Sequence, residues 1–299
     1  MANRIFSLLL LLLALVTPAL AVKPGEMVVI KKNAELKISG KVVGQVKEGE
    51  LLKVHAVRGA WVEVGEKTKG WVRTANVSSQ DDALTHVTKL LEESPDDVAL
   101  LITRARIYLS TNALEAAKID LDQARQADPT NAEPWFYLAQ AALQQDSPGG
   151  AIQLLDKAIT LKDDDWRFYQ LRGQLNQKRQ VTNSAIDDFE KVADLGHADA
   201  ATLNNLAWWR ATHPDAQWRN GANAVKHALK ACETTHYKNY MYVDTLAAAY
   251  AEFGDFKKAI EWQEEAVRLV GDTDFSAKTQ CEARLKQYQL NQPYRETPR

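Results

Sequence analysis

Few residues in this chain have the type and spacing that chemistry needs. The six histidines, His55, His86, His197, His213, His227 and His236, include no His-Glu-x-x-His pair, which would set two imidazoles one helical turn apart for zinc. The two cysteines, Cys232 and Cys281, form no Cys-x-x-Cys pair. No glycine-rich phosphate loop and no Gly-x-Ser-x-Gly nucleophile turn occurs. Asp163, Asp164 and Asp165 concentrate charge, but a calcium loop spaces its oxygen ligands and ends on a glutamate. Such a run suits a helix N-terminus better, where a carboxylate caps free N–H groups. These residues point away from an enzyme and call for no metal or cofactor.

The elements that would position any site are set by a repeat. Small residues recur every 34 positions at Ala105, Ala139, Gly173 and Ala207. Twelve residues after the first three stand Ala117, Ala151 and Ala185, and seven further on stand Ala124, Ala158 and Val192. This period and pattern resemble the tetratricopeptide (TPR) repeat, two antiparallel helices brought close by small residues. Full repeats start near residues 98, 132, 166, 200 and 240. The fourth is longer, with extra residues around 212–221. The fifth fits best, through Leu246-Ala247-Ala248-Ala249-Tyr250, Gly254-Asp255-Phe256, Ala259 and Ala266.

The expected array covers residues 98–270. A half repeat over residues 80–95 caps it in front, with Ser79 as N-cap and Ala83, Val87 and Leu90 as its apolar stripe. A helix over residues 273–290 covers the other end through Phe275, Ala283 and Leu285. Pro293 and Pro298 mark residues 291–299 as a loose tail. In this register two helices separate Cys232 from Cys281, too far for a disulfide, so both are expected as small core residues.

Residues 25–78 carry short alternating segments, at 27–30, 35–38, 42–46, 51–57, 61–64 and 70–73. Turns at Ser39-Gly40, Glu48-Gly49, Arg58-Gly59 and Gly65 divide them. Gly59-Ala60-Trp61-Val62, Gly70-Trp71-Val72 and Asn76-Val77 resemble bacterial SH3-like (SH3b) domains. The expected fold is therefore multidomain: a small SH3-like β-barrel followed by an all-α TPR solenoid. Trp61 and Trp71 are expected in the barrel core, with a share in a ligand surface as the alternative.

Ahead of these lies a targeting segment, residues 1–21. Arg4 precedes an apolar run over residues 5–16, Pro18 breaks it, and Ala19-Leu20-Ala21 offers a cleavage site. As a helix the run would be about 18 Å long, short of a bilayer core. Cleavage after Ala21 is favoured over retention as an anchor. The mature chain would then be exported, to a periplasm, the cell envelope or the medium, with no stable membrane insertion.

Charge is unevenly spread. Residues 22–79 hold eleven Lys/Arg and six Glu, while the chain as a whole has a net charge of −2. A basic module thus precedes an acidic array. Either both surfaces are simply solvated, or the basic one approaches an anionic polymer such as that of the cell wall. The acidic array repels phosphates, which argues against nucleic acid.

In the resembled family the first helix of each repeat lines a concave face. Its inward positions select Ile102, Arg106, Phe136, Gln140, Arg167, Gln170, Gln174, Asn204, Trp208 and Asp244. Amides can bond a peptide backbone and aromatics can anchor side chains. A polar concave face could equally be solvated. The Lys/Asn clamp for a terminal carboxylate, known in chaperone-binding members, is absent at these positions. Trp208 and Trp209 point about 100° apart on a helix, the first toward the groove edge and the second into packing. In the alternative, the long fourth-repeat loop folds over both with Trp218. The resemblance implies a non-enzymatic adaptor for a protein or peptide, with an envelope-targeting role for the basic module as the alternative.

Overall fold

The computed structural model describes residues 22–65, 68–271 and 274–297. The expected targeting segment, residues 1–21, and Pro298 lie outside them. Two compact units divide the chain, one ending at Asp146 and the other beginning at Ser147.

The first unit opens with β1 (Met27–Ile30), β2 (Ala34–Ile38), β3 (Lys41–Val46), β4 (Leu51–Arg58), β5 (Trp61–Val64), β6 (Gly70–Arg73) and β7 (Val77–Ser78). Alternating apolar residues send one face inward, and the strands pair in the order β3-β2-β6-β5-β4-β1-β7. Register shifts at Leu36/Lys37 and Val54/Ala56 bend the strands. The sheet does not close, which corrects the expected barrel. β7, two residues long, pairs with β1 through Val29↔Ser78 and Ile30↔Val77, so β3 and β7 remain edges. The sheet still curls round one core, to which Val46 and Val77 from the two edges contribute beside Val54, Val62 and Val72.

Trp61 and Trp71 are not in that core. Both are half-buried on the other face, where Arg73 lies 4.8 Å from the Trp61 ring and Arg58 lies 5.1 Å from the Trp71 ring. Strand alternation explains the correction: Val62 and Val72, next to the tryptophans, take the inward positions.

Four helices complete the unit: α1 (Gln80–Glu93), α2 (Val98–Ser110), α3 (Leu114–Ala127) and α4 (Glu133–Gln144). The Ser79 side chain accepts a hydrogen bond from the Asp82 N–H, capping α1 against the sheet. Gly49, in the β3–β4 turn, has φ +81, and a Cβ there would strike Leu100 of α2 and lie 3.3 Å from Leu90 of α1. Both the positive φ and the contact demand glycine.

The second unit holds α5 (Pro148–Leu161), α6 (Trp166–Lys178), α7 (Thr182–Asp194), α8 (Ala200–Thr212), α9 (Gly221–Thr234), α10 (Tyr240–Phe253), α11 (Phe256–Val270) and α12 (Phe275–Gln289). Asp165, Asp199, Asn239 and Asp274 cap α6, α8, α10 and α12, each accepting from an N–H of the first turn. The turn after α2, α4 and α6 bends through a residue at positive φ: Asn112 (60°), Asp146 (53°) and Gln180 (60°). After α10 the same place falls to Gly254, at 92°. A left-handed residue ends a helix and reverses the chain.

Helices meet at the small residues. Ala105, Ala117, Ala124, Ala139, Ala151, Ala158, Ala185, Ala207, Ala247, Ala259 and Ala266 are all completely buried. At Gly173 of α6 a Cβ would come within 2.9 Å of the Phe189 ring on α7. Between α8 and α9 the inserted residues form a single 3-10 turn, Ala216–Trp218. Trp218 and Trp209 pack on the cluster of Ile186, Phe189 and Leu206, and Trp209 stacks 6.0 Å from Phe189. Trp208 packs on a different cluster, around Ala247 and Ala248. The inserted loop therefore joins Trp209 alone.

α12 turns a different face inward from the one its apolar residues suggest. Phe275 is 83% exposed, Ala283 is exposed and Leu285 is half-buried, whereas Cys281 and Tyr288 are buried. Cys281, Arg284 and Tyr288 stand three and four residues apart and form the inner stripe. Its anchor is a buried carboxylate on α10 rather than an apolar surface, as described below.

Ala247→Arg tests the helix contacts. A long charged side chain at this site combines overpacking with charge burial and is expected to cost several kcal/mol. Thermal or urea unfolding of the variant measures it, and an unchanged midpoint would refute the packing described for α10.

Candidate functional site

The helices capped by Asp165, Asp199 and Asn239 present six of the ten residues that the repeat register selects, and α2 and α4 present the other four. In the first unit, Ile102 and Arg106 on α2 open onto a cleft of about 880 Å³ between the sheet and the helices, with Leu36, Gly44, Leu100 and Glu133 also on its walls. Arg106 lies 5.4 Å from the Tyr137 ring, and Tyr137 meets Phe136 edge-on at 5.2 Å. Phe136 is buried at 7% exposure and Gln140 is half-buried. Phe136 is thus part of the helix packing, and the accessible group among these is the Arg106 side of the cleft.

In the second unit, Arg167 is held by the cap of its own helix. Its Nε and Nη2 donate to Asp165 at 2.9 and 2.6 Å. Burial works against the Asp165 charge, but the hydrogen bonds and charge of Arg167 outweigh it and hold the carboxyl below its usual range. Gln170 is half-buried and Gln174 exposed on the same helix. The expected role of Asp165 as a cap thus extends to fixing Arg167.

Asn204, Trp208 and Asp244 come together. With Tyr240, Cys281 and Arg284 they line a recess of about 290 Å³ across α8, α10 and α12. Asp244 is 6% exposed, and one of its oxygens is already engaged by several donors. Its Oδ1 accepts from Gln263 at 2.7 Å and from Arg284 at 2.9 Å, with the Cys281 thiol 3.5 Å away. Burial alone would lower the Arg284 pKa, but Asp244 reverses that and keeps the guanidinium firmly protonated. Burial pushes the Cys281 thiol up to about 11, and likewise the Cys232 thiol up to about 12. Both cysteines are free and buried, which suits packing and not nucleophilic work. Asn204 is half-buried, and its Oδ1 has no hydrogen-bond partner among the described residues.

Three participants escaped the repeat register: Arg284, Tyr294 and Glu296. Arg284 lies 5.6 Å from both the Trp208 and Tyr294 rings. Tyr294 lies 5.7 Å from Trp208, whose indole N–H donates to Glu296 at 2.8 Å. The segment read as a loose tail is therefore docked. Its prolines gave a loop signal, and its contacts with α8 depend on residues more than 80 positions away.

Other charged clusters are structural. Arg104 holds Asp120 through two bonds of 2.8 and 2.7 Å, and Arg172 holds Asp188 two repeats later. Each arginine stands just before the small residue of its helix, so each pair bridges the two helices of one repeat. Asp120 and Asp188 are each 2% exposed. Glu190 on α7 accepts from Arg210 of α8 at 2.9 Å and pairs with His227 of α9 at 3.2 Å. Among the described residues no cluster of three or more His, Cys, Asp or Glu could hold a metal ion, and no helix is long and apolar enough to cross a membrane.

Antiparallel helix pairs on a 34-residue period define a helical-repeat protein, of the class that typically serves as a protein- or peptide-binding scaffold. Residues 120–175 and 244–269 match models of the tetratricopeptide repeat, and the chain is a TPR repeat protein with an N-terminal β-sheet region. The crystal structure of YrrB, described as a TPR protein with an unusual peptide-binding site, shares the fold: TM-score 0.52, 17% identity, 66% of this chain and 97% of that one. The PilF structure from Pseudomonas aeruginosa gives a TM-score of 0.47 at 17% identity, over 68% of this chain and 89% of that one. The Ethylene-overproduction protein 1 of Arabidopsis thaliana is 30% identical over 142 residues, 46% of this chain. The chain spans only 14% of the length of that curated relative.

Proposed function

We propose that this protein is an exported, non-enzymatic adaptor that binds a protein or peptide partner on the inner faces of its repeat helices. The α8–α10–α12 recess carries this reading. There an indole, a guanidinium fixed by a buried carboxylate and the amide residues Asn204 and Asn205 line one concavity. That set can take an apolar side chain, an acidic group and a backbone peptide group, the three things an extended peptide presents. The fold shared with YrrB, itself described as having a peptide-binding site, supports the same kind of task.

Affinity capture from the native envelope, with the mature chain as bait, tests the reading. Trp208→Ala is expected to weaken partner binding by about 1–3 kcal/mol, the range of an interface anchor. Lys157→Ala, on the exposed side of α5, should leave it unchanged. Capture that ignores both substitutions would show that the inner face of the second unit is not the site.

Export rests on Arg4, the apolar run over residues 5–16 and Ala19-Leu20-Ala21. N-terminal sequencing of the mature protein is expected to begin at Val22; a membrane-bound product that begins at Met1 would overturn export.

A second reading assigns cell-wall targeting to the sheet. Trp61, Trp71, Arg58 and Lys37 surround a shallow recess of about 300 Å³ on its outer face. Exposed aromatic faces beside cations suit a polymer of sugar rings bearing anionic groups. The mature chain should sediment with insoluble cell wall, and Trp61→Ala with Trp71→Ala should release it. Equal sedimentation of the double variant would reject this reading.

A further inference from the structure

The α8–α10–α12 face of the second unit is occupied by the chain itself. After α12 the backbone reverses at Asn291, with φ +56, and residues 292–297 run on without regular structure. Three successive side chains then meet three kinds of partner. The Tyr294 ring lies against Trp208 and Arg284. Arg295 donates to the Ala211 carbonyl at 3.2 Å and pairs with Glu252. Glu296 accepts the Trp208 indole N–H at 2.8 Å, and its own backbone N–H donates to the Thr212 carbonyl at 2.9 Å.

These contacts are those of recognition more than of core packing. The Ala211 and Thr212 carbonyls belong to the last turn of α8, which has no intrahelical donors left for them. The backbone of an incoming strand can satisfy the Thr212 carbonyl whatever its side chains, as Glu296 does, and a basic side chain can satisfy the Ala211 carbonyl, as Arg295 does, while Trp208, Arg284 and Glu252 select the side chains further. Residues 293–296 are all half-buried, and Tyr294 packs on the apolar cluster around Ala247 and Ala248. The Arg295 and Glu296 contacts described above are hydrogen bonds and an ion pair. What favours its docking is its tether to α12, because a segment joined by a short linker is presented at an effective concentration on the order of millimolar. A weak site would be filled under that condition and still yield to a free ligand of moderate affinity. The recess beside the segment, lined by Asn204, Tyr240 and Asp244, leaves room for a ligand longer than the segment itself.

We propose that residues 293–296 occupy the site of an extended peptide ligand in which an aromatic residue is followed by a basic and an acidic one, and that such a peptide must displace them to bind. This inference rests on the adaptor reading and names its ligand chemistry and its regulation. The segment is a built-in competitor, so the site opens only when the segment is released or outcompeted.

A fluorescently labelled synthetic peptide of residues 291–299 is the probe. Fluorescence anisotropy should show it binding the chain that lacks residues 291–299 at least tenfold more tightly than the complete mature chain. Trp208→Ala in the shortened chain should abolish the binding, and a scrambled peptide should not bind. Should the shortened chain lose its helical circular dichroism, the complete chain with Tyr294→Ala and Glu296→Lys takes its place, with the same tenfold gain expected. Equal binding to closed and opened chains, or no binding to a folded opened chain, would overturn the proposal and leave the segment a structural cap of α8. Because this measurement needs no cellular partner, its failure is distinct from failure of the envelope capture.

Discussion

Close approach of helix pairs at small side chains is the constraint on which the rest of the structure depends. Ala105, Ala207 and Ala247 are completely buried between helices, and at Gly173 even a methyl group would come within 2.9 Å of the Phe189 ring. Each helix of a repeat has one apolar stripe, and the stripe leaves water only when a neighbour lies against it. Small residues bring the backbones near enough for the larger neighbours, such as Phe189 and Leu206, to fill the remaining volume. The helix caps and the left-handed turn residues at Asn112, Gln180 and Gly254 then fix where each helix ends, so the same contact recurs at a fixed interval.

Packing this close has an electrostatic consequence. Polar residues that fall on the inner stripe must find partners there, since an unpaired buried charge is far more costly than a lost surface contact. The pairs Arg104–Asp120 and Arg172–Asp188 meet that demand within a repeat. Glu190 meets it across three helices, and Asp244 does so by drawing Arg284 of α12 onto α10. The Asp244 arrangement differs in what it leaves over. The Arg284 guanidinium is bonded to Asp244 at one end, and its planar face remains available to the aromatic rings of Trp208 and Tyr294. Structural charge pairing and ligand recognition thus share one side chain.

The two ends of the chain apply similar physics to different surfaces. In the sheet, the alternation that buries Val62 and Val72 places Trp61 and Trp71 outward under Arg73 and Arg58. In the second unit, the helical period that buries Ala207 and Leu206 places Trp208 on the inner face and Trp209 in the seam with Phe189. Both surfaces combine aromatic faces with guanidinium groups. They differ in shape and partner: one is a shallow patch on a sheet, the other a recess crossed by the chain's own segment.

The sequence by itself determined the helix pairs, because a period of 34 residues with small residues at set places is a local pattern that needs no knowledge of the partner helix. It also marked the inserted turn before α9 and the strand alternation, both of which depend on neighbours within a few positions. Only the tertiary structure decided which strands pair: nothing in residues 25–78 shows that β7 joins β1 and leaves the sheet open. Only it turned α12 onto its Cys281–Arg284–Tyr288 stripe, because the attraction comes from the buried Asp244, 40 residues before Arg284. The same holds for the candidate site. The register placed Asn204, Trp208 and Asp244 on one face, since residues of a helix and of its repeat neighbours share an orientation. That Asp244 is paired with Arg284 and Gln263, that Phe136 is buried, and that residues 293–296 lie over Trp208 are products of tertiary contacts, which composition and periodicity do not encode.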